Sequence, residues 1–419
     1  MLYRTIRSTG DELSILGFGC MHLPQKGGRI DEERAARQIQ LAIERGVNYL
    51  DTAWNYHGGE SERFLGRALQ GGYRERVKIA TKLPRWIVGS RQDMDLLLDA
   101  QRRRLQTDCI DYYLLHALDG ASWRQMAELG VAEFLERARS DGRIAHAGFS
   151  FHGDRDSFRE IVDGYDWQFC QIQYNFLDEH NQAGREGLEY AASQGLGVII
   201  MEPLRGGNLA RGVPAAVQAV WDEAEVRRTP AEWALRWVWN HPEVTVVLSG
   251  MNEEEHIEEN LRVAGEAHAG SLTAEELQLV SRAAEQYRRL MRVGCTGCGY
   301  CMPCPAGVDI PACFELYNTA HTSGRARHAW VHYLARLGSV FGGGPPAYAS
   351  RCQQCGRCEE VCPQHLPIRE HLQQVAREFE GPCLTLVSKL ARPACAVLRW
   401  WSLRGVGRAE QRRGGSAAD

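Results

Sequence analysis

Four residues that could act together in acid–base chemistry stand at or just after the ends of predicted buried strands. Asp51 ends an apolar run, and Tyr56 follows it in a loop. The next two strand-like runs end in Lys82 and His116. Each residue alone has an ordinary explanation, such as a helix cap, a surface lysine or a core histidine. Their repetition at successive strand ends predicts instead that the four form one catalytic site.

This combination suits hydride transfer to a carbonyl group. Negative charge develops on the carbonyl oxygen as hydride arrives, and Tyr56 is the predicted proton donor to that oxygen. A phenol has an ordinary pKa of about 10, and a neighbouring ammonium such as Lys82 is expected to lower it. Asp51 would hold Lys82 through a charge-assisted contact, and His116 would position the carbonyl oxygen.

Cysteines form the second group with chemical potential. Of the 14 cysteines, eight fall in two runs, Cys295, Cys298, Cys301 and Cys304, then Cys352, Cys355, Cys358 and Cys362. The second run has the spacing and terminal Cys-Pro of bacterial [4Fe–4S] motifs, whereas the last gap of the first run is one residue shorter. Zinc is the alternative, although the Cys-Pro endings favour clusters, and disulfides are uncommon in cytoplasmic proteins. We therefore predict two [4Fe–4S] clusters. Four other cysteines are expected to be packing residues: Cys20, Cys109, Cys170 and Cys313.

Eight strand–helix repeats are predicted to position the first group. Apolar strand candidates lie at 15–20, 47–51, 77–82, 109–116, 144–150, 169–175, 197–203 and 244–250. Helical patterns follow at 32–45, 61–70, 91–105, 127–140, 156–163, 181–194, 230–240 and 253–263. This number of repeats in about 250 residues is typical of an α/β (β/α)8 TIM barrel, where side chains at the carboxyl ends of the strands converge. An open doubly wound sheet is the alternative, but no glycine-rich dinucleotide motif follows the first strand. Residues 2–13 are predicted to form a hairpin at the barrel bottom.

Composition changes near residue 290, where strands and helices give way to cysteine, glycine and proline. We expect a barrel at 1–268, a helical connector at 269–290, a small, mainly α-helical two-cluster ferredoxin-like domain at 291–381, and a basic, partly disordered tail at 382–419. The net charge of −4 argues against general nucleic-acid binding. We see no secretory signal and no apolar run of about 18 residues, so we expect a cytoplasmic protein without a transmembrane segment.

The barrel sequence resembles the aldo-keto reductase family over residues 1–268. The matching stretches include LGFGCM, YLDTAWNYHGGESERFLGRAL, IATKLP, DYYLLH, QIQYN, MEPLRGG and SGMNEEEHIEENL. The resemblance implies that the four strand-end residues form the family's catalytic tetrad and that a nicotinamide cofactor lies across the barrel mouth. It also implies cofactor contacts from Ser150, Gln173, Met201, Gly250, Met251, Glu259 and Asn260.

Three departures from the family pattern bear on the cofactor. Met201 replaces the aromatic that often stacks on the nicotinamide, and Phe151 replaces an asparagine. The segment after the eighth strand carries glutamates at 253–255, where basic residues usually grip the 2′-phosphate of NADPH. Because glutamates repel a phosphate, we expect NADH to be slightly favoured. His256 and Arg205 are the candidate cations if NADPH is used.

The cysteine runs resemble those of two-cluster ferredoxins, which implies crossed ligation. The first three cysteines of each run would share a cluster with the last cysteine of the other run. One cluster would then be held by Cys295, Cys298, Cys301 and Cys362, and the other by Cys352, Cys355, Cys358 and Cys304.

Two function classes stay open. The first is an NAD(P)H-dependent oxidoreductase that reduces an aldehyde or ketone, with the clusters in an accessory domain. The second is an electron-transfer module that couples a nicotinamide or a flavin to the clusters and to a redox partner protein. Hydride carries two electrons whereas a cluster accepts one, so the second class needs a flavin or radical step. Trp54, Arg85 and Trp86 are expected near the substrate, although Trp86 could equally pack on its own helix.

Overall fold

The computed structural model describes residues 1–322, 326–338 and 345–381. The chain divides into two compact units, Met1–Glu285 and Gln286–Asp419. The barrel lies in the first unit and the two cysteine runs lie in the second. The domain boundaries expected from composition stay predictions, and the basic, partly disordered tail expected at 382–419 lies outside the described residues.

The first unit contains a closed barrel of eight parallel strands, which confirms the predicted fold. The strands, labelled β1 to β8, are Leu16–Gly19, Tyr49–Asp51, Lys78–Leu83, Ile110–Leu118, Ile144–Phe151, Phe169–Gln173, Gly197–Met201 and Val244–Ser249. Each strand pairs with the next in chain order, and β8 closes on β1. Parallel strands are covered on both faces, which explains why the sequence shows continuous apolar runs rather than alternation.

Helices alternate with the strands. In chain order, α1 to α11 are Glu32–Glu44, Ser61–Ala68, Arg91–Leu105, Gly120–Glu128, Val131–Ser140, Arg155–Asp163, Gly184–Ser193, Ala215–Trp221, Pro230–Trp239, Glu254–Ala264 and Ala274–Leu290. Side-chain caps define several starts, such as Ser90 before α3 and Thr229 before α9. The single helix predicted at 127–140 was wrong, because Gly130 adopts a φ of 73° and separates α4 from α5.

Apolar side chains fill the barrel interior, with Tyr49, Tyr112 and Phe169 among the largest. The predicted hairpin forms from the antiparallel strands Tyr3–Thr5 and Glu12–Ser14, and the turn residue Ile6 joins this core. Ile6 approaches Gly197, at the amino end of β7, so closely that a Cβ there would lie 2.5 Å from its side chain. The hairpin therefore closes the barrel floor and leaves the carboxyl ends of the strands at the opposite face.

The described part of the second unit is mainly helical. Its helices, α12 to α15, are Ile310–Thr322, Ala326–Leu337, Arg357–Glu360 and Ile368–Phe379. Phe314, Tyr333 and Phe379 belong to a buried core of this unit, and several of the cysteines pack against that core. Across both units, none of the helices described is long and apolar enough to span a bilayer.

Candidate active site and candidate cluster-binding cysteines

Lys82 lies between two other members of the predicted acid–base group, Asp51 and Tyr56. Asp51 is the last residue of β2, and Lys82 comes from the neighbouring parallel strand β3. The Lys82 ammonium donates to Asp51 Oδ1 over 2.7 Å and to the carbonyl oxygen of Thr52 over 2.7 Å. Its third contact is the Tyr56 hydroxyl, at 3.4 Å. One cation thus connects a carboxylate to a phenol.

The Asp51–Lys82 pair is almost fully enclosed, with 3% and 1% of the two residues exposed. Burial raises the pKa of Asp51, while Lys82 and then Gln171 act to lower it. Gln171 Nε2 donates to Asp51 Oδ2 over 3.2 Å, so each carboxylate oxygen has a donor. Because breaking a buried ion pair leaves an uncompensated charge, this arrangement holds Lys82 firmly in one position.

The structure corrects the expectation that Lys82 lowers the pKa of Tyr56. Burial raises the pKa of Tyr56 well above its usual value. Three ionisable neighbours raise this pKa further: Asp51, Cys20 and Glu202. The Lys82 ammonium, 4.9 Å from the ring centre, does not reverse this balance. The phenol consequently keeps its proton at neutral pH, which is the form that a proton donor requires.

His116 comes from β4, and its ring lies beside Tyr56 and Trp86. The distances between ring centres are 6.4 Å to Tyr56 and 5.1 Å to Trp86. Burial lowers the pKa of His116 well below its usual value, and the charge of Lys82 is the next cause. The imidazole is therefore neutral and carries one N–H donor.

Two tryptophans flank this group in different ways. Trp86 is 46% exposed and contacts the imidazole, so the structure favours a position near the site over packing on its own helix. Trp54 instead stacks on Arg104, whose guanidinium carbon lies 3.4 Å from the ring centre. Arg104 in turn binds the buried Glu62 over 3.0 Å. Sequence reasoning missed Glu62 and Arg104, which anchor the loop that carries Tyr56.

Ser150, expected to hold the nicotinamide amide, and Arg85, expected near the substrate, both contact the backbone of Ala117. The Ala117 N–H donates to Ser150 Oγ over 2.7 Å, and Arg85 Nε donates to the Ala117 carbonyl over 3.0 Å. Ala117 directly follows His116 and has a φ of 56°. A non-glycine residue in this region is strained, so these contacts hold an unusual backbone turn beside His116.

Gln173 and Met201 are register partners at the ends of β6 and β7. Gln173 Nε2 donates to Asp178 over 2.9 Å, and its Oε1 accepts from Gln182 over 3.1 Å. Asp178 also accepts from Arg205 Nε over 2.9 Å. The expected nicotinamide contacts therefore do come from successive strand ends. The Gln173 amide and Arg205, however, are both engaged by side chains of the protein itself.

The predicted cofactor residues beyond β8 are only partly brought together. Asn260 Nδ2, on α10, donates to Ser249 Oγ over 2.8 Å and to Met251 Sδ over 3.7 Å. Gly250 lies between these two residues in the chain and is exposed. Glu259 instead accepts from the threonine hydroxyl that caps α9. Asn260 and Met251 thus stabilise the turn after β8, whereas Glu259 connects two helices.

The glutamates after β8 are partly neutralised by Arg34 from α1. Arg34 Nη2 donates to Glu253 over 2.6 Å, and Arg34 Nε donates to Glu254 over 2.9 Å. The hydrogen bond from Arg34 is the largest cause that lowers the pKa of Glu254 to about 2. Glu255 is exposed. Two acids share this arginine, so the segment stays acidic despite a cation that sequence reasoning missed.

A cavity in the second unit is lined by four cysteines, Cys295, Cys298, Cys301 and Cys362. Three come from the first run and one from the second, which is the crossed set that the ferredoxin resemblance implies. Burial raises the pKa of the Cys301 thiol, and the other three thiols raise it further. The Gly297 N–H donates to Cys295 Sγ over 3.4 Å. Four thiols around one cavity fit the ligand set of a [4Fe–4S] cluster.

The complementary set lines a second cavity of about 340 Å³, at Cys304, Cys352, Cys355 and Cys358. Gln354 Nε2 donates to Cys352 Sγ over 3.4 Å. Every cysteine within the described ranges is a free thiol, so no disulfide competes there for these ligands. Cysteines expected only to pack are buried at Cys20, Cys170 and Cys313, whereas Cys109 is only half-buried.

Residues 15–285 match the model of the Aldo/keto reductase family. The chain belongs to this family. Residues 294–367, beyond the aldo/keto reductase barrel, match the model of the 4Fe-4S dicluster domain. Both resemblances read from the sequence motifs are thereby confirmed.

Known relatives align with the barrel of this aldo/keto reductase. L-galactose dehydrogenase of Arabidopsis thaliana is 25% identical over 306 residues, which cover 68% of this chain and 95% of that protein. Methylglyoxal reductase YeaE of Escherichia coli (strain K12) is 26% identical over 294 residues, with the same coverage of 68% and 95%. The solved aldo-keto reductase AKR11C1 from Bacillus halodurans, in its holo form, is 27% identical with a TM-score of 0.57 and covers 68% of this chain and 96% of that chain.

Proposed function

We propose that this aldo/keto reductase reduces an aldehyde or ketone to an alcohol with NADH or NADPH. The observation that carries the proposal is the Lys82 ammonium, held by Asp51 and 3.4 Å from the Tyr56 hydroxyl. This geometry supplies a proton donor beside a fixed cation. The relatives named L-galactose dehydrogenase and methylglyoxal reductase support a small carbonyl compound, or its alcohol, as the substrate.

Each of the four residues at or just after the strand ends has its own role in the proton transfer. The nicotinamide, when bound, supplies the hydride that adds to the carbonyl carbon. Tyr56 gives its proton to the carbonyl oxygen, so the double bond becomes single and an alcohol forms; solvent later returns a proton to Tyr56. Lys82, fixed by Asp51, stabilises the phenolate left behind. Neutral His116 donates a hydrogen bond that orients the carbonyl oxygen.

The cofactor is proposed to lie over the strand ends of the barrel. Its contacts would be Ser150, Gln173, Met201, Gly250, Met251, Glu259 and Asn260. Met201 would offer a polarizable thioether face to the nicotinamide. Because Glu253 and Glu254 share Arg34, the nearby surface repels a 2′-phosphate, and NADH is proposed to bind slightly better than NADPH.

Two [4Fe–4S] clusters are proposed to bind in the second unit, with the crossed ligand sets that line its two cavities. When bound, such clusters supply one-electron transfer. Their cysteine ligands must be deprotonated thiolates, which a reducing compartment preserves. We therefore propose a cytoplasmic location and an accessory redox role for this unit.

The closeness of the two cavities to each other favours a second candidate function. Cys301 and Ile310 line both cavities, so two clusters would lie close enough to exchange electrons. The chain would then act as an electron-transfer module toward a redox partner protein. A bound flavin is needed to connect two-electron hydride chemistry with one-electron clusters. The visible absorbance of the purified protein distinguishes the candidates, because a flavin spectrum is expected only for the second.

The decisive experiment is to purify the protein anaerobically and then to measure the rate at which it oxidises NADH or NADPH in the presence of each of a panel of small aldehydes and ketones. We expect turnover with at least one carbonyl compound and tighter binding of NADH. Glu253→Lys should narrow or reverse the cofactor preference, whereas Glu258→Lys, on α10 but paired with Arg45, is the matched charge control. No turnover with any carbonyl compound would overturn the proposed reductase function. Binding of NADPH as tight as that of NADH, or tighter, would overturn the proposed preference for NADH.

A further inference from the structure

Glu202 places an acidic side chain at the face where the predicted acid–base group lies. It directly follows Met201, the last residue of β7. Its backbone has a φ of 58°, a left-handed conformation that is uncommon for a residue with a side chain. Asn175 Nδ2 donates to its carbonyl oxygen over 3.0 Å, which helps to hold that conformation. Such strained residues cluster at ligand sites, so the conformation of Glu202 indicates a role in ligand binding.

The Glu202 carboxyl is only half satisfied by the protein. The Gly206 N–H donates to it, but its Oε2 atom is buried with no hydrogen-bond partner within the described residues. Arg205, whose charge acts on Glu202, donates from its Nε to Asp178 over 2.9 Å. A buried polar atom without a partner is costly, so a ligand group that pairs with this oxygen would be stabilised.

The surroundings of Glu202 indicate what kind of ligand group would pair with its Oε2 atom. Glu202 follows the carboxyl end of β7, and its charge is one cause that raises the pKa of Tyr56, so both residues lie at the same face of the barrel. Arg205 and Asp178 act on Glu202 with opposite charges, so its surroundings do not strongly select a charged ligand group of either sign. Burial raises the pKa of Glu202 to about 7, so the carboxyl exists in both protonation states near neutral pH. A hydroxyl group can pair with either state, because it both donates and accepts.

We propose that the Glu202 carboxyl hydrogen-bonds a hydroxyl group of the ligand that binds beside Tyr56. This inference rests on the proposed reductase function, and it adds a substrate class to it. The hydroxyl belongs either to a hydroxylated carbonyl substrate, such as a small sugar-like aldehyde, or to a ribose of the nicotinamide cofactor. Both sources present the same chemistry to Oε2, and they are separated by experiment.

The test compares Glu202→Met, which keeps the length of the side chain but removes its polar atoms, with the conservative variant Glu202→Gln. Glyceraldehyde and propanal are the substrate pair, because they differ in hydroxyl groups and share the aldehyde. Fluorescence titration with NADH follows cofactor binding. Glu258→Gln, an exposed carboxylate paired with Arg45, is the control in which both readouts should match the unmodified protein.

If the substrate supplies the hydroxyl, the ratio of kcat/KM for glyceraldehyde to that for propanal should fall about ten-fold or more in Glu202→Met and recover in part in Glu202→Gln. If the cofactor supplies it, the Kd for NADH should rise by a similar factor while the ratio is kept. A purely structural role of Glu202 would lower kcat/KM equally for both substrates without changing the Kd for NADH, and that outcome overturns the inference. Failure of the unmodified protein to turn over either aldehyde would instead overturn the proposed function and, with it, this inference.

Discussion

The barrel site and the cysteine loops are built in opposite ways. In the barrel, Asp51, Lys82 and Gln171 come from three different strands, and the charged atoms of the ion pair find their partners within the protein. In the second unit, three of the four thiols of each set come from one short loop and line a cavity. The Gly297 N–H donates to Cys295 Sγ within the first of these loops.

The barrel site is therefore preorganised by the fold, whereas the cysteine site would be completed by its ligand. Closure of the parallel sheet already places Asp51 and Lys82 at hydrogen-bonding distance, so the fold itself assembles this pair. The proposed clusters would instead complete the geometry of the cysteine loops, because the binding free energy of a metal site is also folding free energy. The barrel should therefore be insensitive to loss of the clusters, and the cysteine unit should depend on them.

The largest predicted effect tests whether the barrel site acts as an acid. Tyr56→Phe removes the proposed proton donor and leaves the ring, so carbonyl reduction should fall about 10²–10⁴-fold while NADH still binds. Steady-state kinetics measure the loss with an aldehyde that the unmodified protein reduces. Fluorescence titration shows whether the cofactor still binds.

Tyr49→Phe is the matched control for this prediction. Tyr49 is also buried in the barrel, and its hydroxyl has no hydrogen-bond partner in the part of the chain that the structure describes. Removing that oxygen should leave the rate within about two-fold. Equal activities in the two variants would show that Tyr56 is not the proton donor.

The second prediction concerns iron and the crossing of the two cysteine runs. Two [4Fe–4S] clusters require about eight irons per chain, and Cys362→Ser should reduce this to about four. Adding Cys295→Ser should then remove no more iron, because both residues line the same cavity. Adding Cys355→Ser, from the other cavity, should remove the rest. Anaerobic iron analysis measures all three proteins.

Cys313→Ser provides the control, since Cys313 is buried in α12 and is not one of the cavity-lining cysteines described above. It should keep about eight irons. Reversed results for the two double variants would mean that each run binds its own cluster. Aldehyde reduction by the Cys362→Ser protein should persist, and its loss would contradict the independence of the barrel.

The smallest predicted effect is a pH dependence of stability at Glu202. Burial raises its folded pKa to about 7 from the ordinary glutamate value of 4.5, so the fold favours the neutral carboxyl. The resulting stabilisation is complete below the unfolded pKa and is lost as the pH rises through the folded pKa. Arg205 opposes this shift and Asp178 reinforces it. The Tm of Glu202→Gln, relative to the unmodified protein, should therefore rise between about pH 5 and about pH 8.

Thermal unfolding of both proteins at several pH values measures this difference. Glu258→Gln, whose exposed carboxylate pairs with Arg45, should show no comparable trend across the same range. A constant difference in Tm for Glu202→Gln would mean that Glu202 titrates alike in the folded and unfolded chain, and that its carboxyl is more solvated than the structure indicates.

The sequence alone determined those features that depend on local periodicity and short spacing. Eight apolar runs with intervening helical patterns predicted the barrel, and polar residues at the run ends predicted that Asp51, Lys82 and His116 would converge. The cysteine spacing predicted cluster ligands because three thiols within one loop can face the same point. Strand ends and loop spacings are short-range properties, so they can be read without coordinates. The break at Gly130 also had a local cause, but a continuous apolar pattern concealed it.

The tertiary structure alone decided what depends on distant residues and on burial. Arg34 meets Glu253 across 219 positions of the chain, and no local pattern marks that pair. The direction of the Tyr56 pKa shift was also wrongly predicted, because desolvation by the surrounding barrel outweighs the nearby ammonium. The half-satisfied carboxyl of Glu202 likewise depends on which groups surround it. Burial is a property of the closed barrel as a whole, so a single strand end in the sequence does not reveal it.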